Sequence, residues 1–359
     1  MRTTNSKIYG KFYSPEHLLS YGKHFMVSVG SRSIGKSTGW AIFLLKNFIK
    51  NKQQFIYIRR TEDELMLTCR SFFNNAVEIL KEDKNSGLVD FKYDNRKYFV
   101  KTDDNPEWQY CGYCIPLSLC DKYKSNAEGV FWYCIYDEFI SREGKYNGSK
   151  NNILTEWNSI LSLYQTFDRC KGKAYRNELK MVFLGNAYSF YNPIMLGLGI
   201  TDYVRVDSKM ISPKDAEWVF ENTSQVEATA EYEKSVAYKV SDEASRLANF
   251  SNINWDNHSF CEKIKDPVKP LYNLSYNLSI YGVYWCEDRG CIYICNKKNL
   301  AQTMALTPKN QDRISYTLVS RYSDCDAMKF LREAYRNGDI IFENYKIKYD
   351  IANYFALTL

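Results

Sequence analysis

Residues 30–37, Gly-Ser-Arg-Ser-Ile-Gly-Lys-Ser, satisfy every fixed position of the pattern G-x-x-x-x-G-K-[ST], a loop that folds only between a strand and a helix. The flanks fit. Phe25, Met26, Val27 and Val29 precede it as a short apolar strand, and Trp40, Ile42, Phe43, Leu44, Leu45, Phe48 and Ile49 follow it as a buried helix. Gly30 and Gly35 permit backbone conformations barred to residues with a Cβ, so successive amides turn inward and cradle phosphate oxygens at a helix N-terminus. Gly30, Ser31, Arg32, Ser33, Ile34, Gly35, Lys36, Ser37 and Thr38 are therefore the expected ATP-binding set. Lys36 is expected to reach the β- and γ-phosphates, and the Ser37 hydroxyl to ligate Mg²⁺.

A second stretch turns binding into chemistry. Gly129 to Glu138, GVFWYCIYDE, holds seven apolar or aromatic residues in succession, the mark of a parallel strand buried on both faces. It ends in Asp137-Glu138. An acidic pair at the tip of such a strand is where an α/β nucleotide site places its metal-side carboxylate, so Asp137 is expected to hold Mg²⁺ and Glu138 to polarise the attacking water. The adjacent Glu assigns the chain to the P-loop branch with an additional strand and a catalytic glutamate (ASCE), which includes helicases, ring translocases and packaging motors. A further buried strand, Leu179 to Leu184, is followed at once by Gly185-Asn186, and the Asn186 amide is placed to sense the γ-phosphate or hold the attacking water.

Between and beyond these stretches the pattern predicts a short helix around Ser14–Leu19, a strand over Gln54–Arg59 and a helix from Thr61 to about Lys81. Thr61-Glu-Asp-Glu64 is the capping box of that helix. A hairpin is expected around Asp94-Asn95, a strand over Trp108–Ile115 and a helix over Asn152–Asp168. From Ser212 to about Phe250 the composition reads as a polar helical linker or lid. Strand alternation then returns, clearest on either side of the turn Glu287–Gly290, with a helix near Ala327–Asn337. The expected division is an ATPase domain over 1–206, a linker over 207–255 and a small α/β domain over 256–359; 359 residues suit about two cores.

Composition excludes little. A net charge of +6 is compatible with a polyanionic partner and demonstrates none. The start MRTTNSKIYGKFY has no apolar leader core, and runs such as Trp40–Leu45 are far short of a membrane span, so a soluble protein without membrane contact is expected. Cys111-Gly-Tyr-Cys114 has metal-ligand spacing. No second pair follows at the expected separation, and a strand would place the two thiols on opposite faces, so the 11 Cys read as reduced, mostly buried thiols.

GSRSIGKST, the strand ending Asp137-Glu138-Phe139, the segment Thr166-Phe-Asp-Arg169 and the strand ending Leu184-Gly-Asn186-Ala187 with Asn192-Pro193 stand in the order and spacing of the phi29-like phage genome-packaging ATPases, the encapsidation proteins. The chain resembles that family from roughly Ser28 to Pro193. The resemblance implies a RecA-like ATPase domain in a homopentameric ring, soluble in the host cytoplasm, docked on the portal of a prohead and driving double-stranded DNA inward. It implies active sites shared between subunits: Arg169 matches the arginine finger best, Arg176 competes for that role, and Lys124 matches a second basic residue acting across the interface, as Arg59 or Arg60 could. It also implies a C-terminal unit resembling an RNase H-like nuclease without catalytic residues, with Tyr284 where such nucleases carry a metal-binding Asp, left to dock on the portal or on a scaffold RNA. Two other functions compete: a helicase-like ATPase acting on single strands, and a nucleotide-gated binding protein without turnover.

Overall fold

The structure is a computed structural model. It describes residues 13–31, 34–123, 129–142, 145–147, 154–169, 176–204, 208–223, 236–240, 259–276, 279–300, 304–308, 315–320, 323 and 325–358. Two compact units divide the chain, Met1–Trp255 and Asp256–Leu359. Among the described residues no helix is long and apolar enough to cross a membrane.

The first unit opens with the one-turn helix α1 (Glu16–Leu19), then β1 (Phe25–Gly30), α2 (Lys36–Asn51), β2 (Gln54–Arg59), α3 (Glu62–Thr68) and α4 (Asn74–Glu82). There follow β3 (Leu88–Asp94), β4 (Lys97–Thr102), β5 (Asn105–Pro116), β6 (Phe131–Asp137), α5 (Thr155–Asp168), β7 (Lys180–Asn186), β8 (Met210–Ile211) and β9 (Trp218–Asn222). They build one 9-stranded sheet in the order β3-β4-β5-β2-β6-β7-β1-β9-β8. The run from β5 to β9 is parallel, with antiparallel pairs at both edges. Each central strand is buried on both faces, as the unbroken apolar runs require. In β6, Cys134 and Tyr136 enter one core layer with Ile160, Leu163 and Phe167 of α5, whereas Tyr133 and Ile135 enter the other with Trp40, Leu44 and Leu45 of α2.

Four expectations need correction. The helix drawn from Thr61 to Lys81 is two helices, because Phe72 and Phe73 both turn under the sheet: Phe72 packs 4.2 Å from the Tyr57 ring and Phe73 5.2 Å from Phe55 and 4.8 Å from Tyr98. Consecutive residues of one helix cannot both do so. The hairpin turn lies at Asn95-Arg96, whose φ values of 44° and 65° are those of a two-residue primed turn, one position beyond the expected pair. Cys111 and Cys114 lie in the same apolar layer: the pairing steps from Phe99↔Tyr110 to Tyr98↔Gly112, and this bulge at Cys111 shifts the alternation. Finally, the region read as helical from Ser212 contributes β9, which pairs in parallel with β1. Trp218 and Phe220 fill one core layer and Val219 the other; a short apolar run with polar flanks reads alike for helix and strand. Of the rest of that linker, helix Val236–Val240 is described, and 224–235 and 241–255 lie outside the described residues.

The second unit holds a 6-stranded sheet, order β14-β13-β10-β11-β12-β15, made of β10 (Lys269–Tyr276), β11 (Ser279–Cys286), β12 (Cys291–Cys295), β13 (Ala305–Thr307), β14 (Thr317–Leu318) and β15 (Ile340–Phe342). Strands β10 to β12 form an antiparallel meander, and β13 and β14 add in parallel beside β10. Helices α6 (Asp326–Asn337) and α7 (Tyr345–Thr358) pack Met328, Leu331, Ile351 and Phe355 into the same core layer. Tyr284 lies in β11, the second strand of the meander. Its hydroxyl donates to the Lys297 carbonyl at 2.9 Å, and Glu287 closes the turn to Gly290 as a turn residue should.

Candidate nucleotide site

Strand β7 lies between β1 and β6, with Gly30 paired to Asn186 and Asp137 to Leu184. The carboxyl ends of three adjacent strands therefore face the N-terminus of α2. Gly35, Lys36, Ser37, Thr38, Asp137, Glu138, Gly185 and Asn186 line a cleft of about 350 Å³ there. Lys124, Arg32 and Ser33 lie outside the described residues.

The loop depends on its glycines. Gly30 has φ +155°, and a Cβ there would lie 2.0 Å from Oγ1 of Thr223. The Thr223 amide and hydroxyl donate to the Val29 carbonyl at 2.7 and 2.8 Å, so the chain leaving β9 is tied to the start of the loop. Gly35, at φ 83°, is the N-cap of α2 in the left-handed region, where a side chain would be strained. On the other flank the Tyr13 amide donates to the Ile34 carbonyl at 3.2 Å, and its hydroxyl to Glu221 of β9 at 2.7 Å.

Lys36 is buried, and its ammonium donates to the Gly30 and Ser31 carbonyls at 3.2 and 2.8 Å. Burial lowers its pKa to about 8, against the opposing pull of Asp137, Glu221 and Glu138. Phosphate recognition needs the ammonium. Below pH 8 it is already charged and nucleotide binding takes up no proton; above pH 8 binding must take one up. ATP affinity is accordingly expected to fall by up to about tenfold per pH unit above 8, read as Kd against pH, with proton uptake measured calorimetrically in buffers of different ionisation enthalpy. A Kd constant from pH 7 to 9.5 would contradict this.

Ser37 Oγ donates to Asp137 Oδ1 at 3.2 Å. Asp137 Oδ2 accepts from the Tyr57 hydroxyl and from Arg59 Nη1, both at 3.4 Å, while Arg59 Nη2 donates to Glu138 Oε2 at 2.6 Å. Burial pushes the Asp137 carboxyl above its ordinary value, and Arg59 offsets this only in part. Burial likewise works against the Arg59 charge, but Tyr57, Asp137 and Glu138 outweigh it, so the guanidinium stays protonated. Glu138 adopts φ 55°, a left-handed conformation costing a residue with a Cβ about 1–3 kcal/mol. That twist turns its carboxylate out of the strand, 52% exposed, at the cleft.

The remaining cations separate by position. Arg59, considered as an inter-subunit residue, is instead bound to this chain's own acidic pair. Arg60 is structural: it donates to Glu156 at 3.2 Å and to the Phe139 carbonyl at 2.6 Å, and Glu156 also accepts from the Tyr136 hydroxyl at 2.7 Å. Arg176 donates to the Phe131 carbonyl at the start of β6 and lies 5.4 Å from the Trp132 ring. Arg169 follows the end of α5, whose Asp168 accepts from Asn177, Glu178 and Leu179, directly before β7. Both arginines thus sit at the amino edge of the sheet, separated from the cleft by the seven residues of β7, about 20 Å. The sequence singled out neither the pairing of Arg59 with Glu138 nor Glu221, Thr223 and Asp168. The one local hint was Arg59's place at a strand tip; its proximity to Asp137 depends on β2 pairing with β6.

A glycine loop on β1, an acidic pair on β6 and an inserted β7 define a P-loop NTPase of the additional-strand, catalytic-glutamate branch. The sequence pattern of the podovirus DNA encapsidation protein (Gp16) matches residues 9–357, and the chain belongs to that family. It is 26% identical over 340 residues to the DNA packaging protein of Bacillus phage PZA, covering 94% of this chain and 95% of the relative. The DNA packaging protein of Bacillus phage phi29 matches with the same identity and coverage. Among solved structures, a chain of the bacteriophage Phi-29 viral genome packaging motor assembly has the same fold, with TM-score 0.72 and 24% identity over 97% of this chain and 99% of that one. A chain of the Phi-28 gp11 DNA packaging motor does so with TM-score 0.60 and 18% identity, over 96% of this chain and 97% of that one.

Proposed function

We propose that this protein is the ATPase of a phage DNA-packaging motor, acting in the host cytoplasm as a homo-oligomeric, pentameric ring on the portal of a prohead and hydrolysing ATP between subunits to drive double-stranded DNA inward. The observation that carries the reading is the cleft itself, where Lys36, Ser37, Asp137, Glu138 and Asn186 converge from two strand tips and one helix. The donor set fits Mg²⁺: a hydroxyl and a carboxylate, hard oxygens 3.2 Å apart, are what that cation takes alongside phosphate oxygens. Ser37 and Asp137 would hold it, and when bound it would neutralise charge on the phosphates.

The chain's own groups do the rest. Backbone amides of the loop and Lys36 orient the triphosphate. Glu138 accepts the proton of the attacking water, and Asn186 orients that water from the tip of the intervening strand. Arg59 holds the Glu138 carboxylate through Oε2, which leaves Oε1 to face the water. Arg169 lies too far from its own cleft to complete it, which supports a finger offered to a neighbour. Lys124 is proposed as a second such residue. In the second unit β10 carries no carboxylate, which supports docking, on the portal or a scaffold RNA, over nuclease action.

The test is Mg²⁺-dependent ATP turnover by the purified protein with proheads and double-stranded DNA. Turnover that rises with both, accompanied by DNA protected inside the prohead, is expected. Stimulation by single-stranded DNA alone would favour a helicase-like ATPase, and turnover no faster than that of Glu138→Gln would favour a binding protein.

A further inference from the structure

Asp168 is the last residue of α5 and is fully buried. That is an unfavourable place for a carboxylate, because the partial negative charge of a helix C-terminus repels it and burial removes its water. Three backbone donors compensate. Oδ2 accepts from the Asn177 amide at 2.9 Å, and Oδ1 from those of Glu178 and Leu179, both at 3.2 Å. The Asp168 carbonyl also accepts from the Arg176 amide at 3.0 Å. The residue immediately before Arg169 is therefore clamped to the segment that resumes at Arg176 and enters β7. Neighbouring side chains reinforce the far side of the clamp: Arg176 donates to the Phe131 carbonyl, and the Tyr164 hydroxyl to the Leu179 carbonyl at 3.2 Å.

We propose that Asp168 is a positioning residue, whose clamp fixes the base from which Arg169 reaches the phosphates held by the adjacent subunit. The inference rests on the shared-site reading above. Its physical ground is separation: the clamp stands about 20 Å, the length of β7, from the cleft of its own chain. A change confined to the clamp can therefore affect a neighbour's turnover without touching the phosphate loop of its own chain. Asn at this position keeps the shape but turns one acceptor into a donor facing an amide, so the clamp loses at least one arm.

The experiment compares subunit mixtures. Asp168→Asn alone is expected to bind ATP with unchanged affinity and to lose about 10²-fold in kcat, the scale of a misplaced reacting group. Mixed with Lys36→Ala subunits, which have a dead cleft but an intact Arg169, it should recover activity, because its own cleft then receives a well-placed finger. Recovery in the Arg169→Ala and Lys36→Ala mixture, without recovery for Asp168→Asn, would overturn the positioning role and leave the shared site standing. An unchanged kcat for Asp168→Asn would overturn it as well. No recovery in either mixture would bring down the shared site, and this inference with it. Binding of a non-hydrolysable ATP analogue by each variant, and by Asp168→Ser as a second substitution, separates a lost clamp from a lost fold.

Discussion

Glu138→Gln is expected to bind ATP as the parent does and to turn it over about 10²–10⁴-fold more slowly, the usual worth of a positioned general base. The amide retains an acceptor for Arg59 Nη2, now 2.6 Å from Glu138 Oε2, so the fold and the neighbouring Asp137 should be little disturbed. What disappears is the capacity to take a proton from water. A single-turnover experiment measures the step directly, and an equilibrium titration with ATP and Mg²⁺ checks binding. Slow turnover with a Kd near the parent value is the expected pair of results. Loss of binding as well would mean that the acidic pair serves mainly to hold the nucleotide, and rapid turnover would move the base elsewhere.

Arg169→Ala should produce the second large effect, a loss of about 10³-fold or more in kcat, the range measured for arginine fingers. The defect should be repairable in trans. A subunit lacking Arg169 keeps its own loop, Asp137 and Glu138, so a neighbour with an intact Arg169 and a Lys36→Ala cleft should restore part of the turnover. Arg176→Ala is the informative control: that guanidinium is committed to the Phe131 carbonyl and packs over Trp132, so its removal should lower stability in every mixture and be repaired in none. Recovery for Arg176→Ala but not for Arg169→Ala would exchange the two assignments.

How far the sequence could be read followed from how local each signal was. Strands β2, β6 and β7 announce themselves by unbroken apolar runs, β1 by a run interrupted only at Ser28, and the loop by its glycines at fixed spacing, because burial on both faces and phosphate contact each constrain consecutive residues. The capping box at Thr61 was equally local: its hydroxyl accepts from the Glu64 amide at 3.3 Å. Strand β9 was lost because three core residues, Trp218 to Phe220, between polar flanks carry no period long enough to separate a strand from a helix. The Phe72-Phe73 pair breaks a helix only because Tyr57, Phe55 and Tyr98 wait beneath it, a tertiary demand that outweighs propensity. Arg59 is the instructive case at the site. Nothing near it in the chain marks it as a partner of residues 78 and 79 positions away, and only the adjacency of β2 and β6 brings it there. Asp168 reads as an ordinary polar helix end until the returning amides of Asn177 to Leu179 are in place.

The insertion of β7 between the loop strand and the acidic strand also makes the cleft a ruler. Two interstrand steps of about 4.8 Å separate β1 from β6, and that spacing is locked by ladder hydrogen bonds within a close-packed sheet that cannot stretch continuously. The gap between phosphate grip and acidic pair is thus a constant of the fold. Discrimination between a nucleotide with its terminal phosphate and one without then falls to groups that can move against this frame, Lys36, Arg59, Glu138 and Asn186 among them, while the frame that measures the ligand stays still.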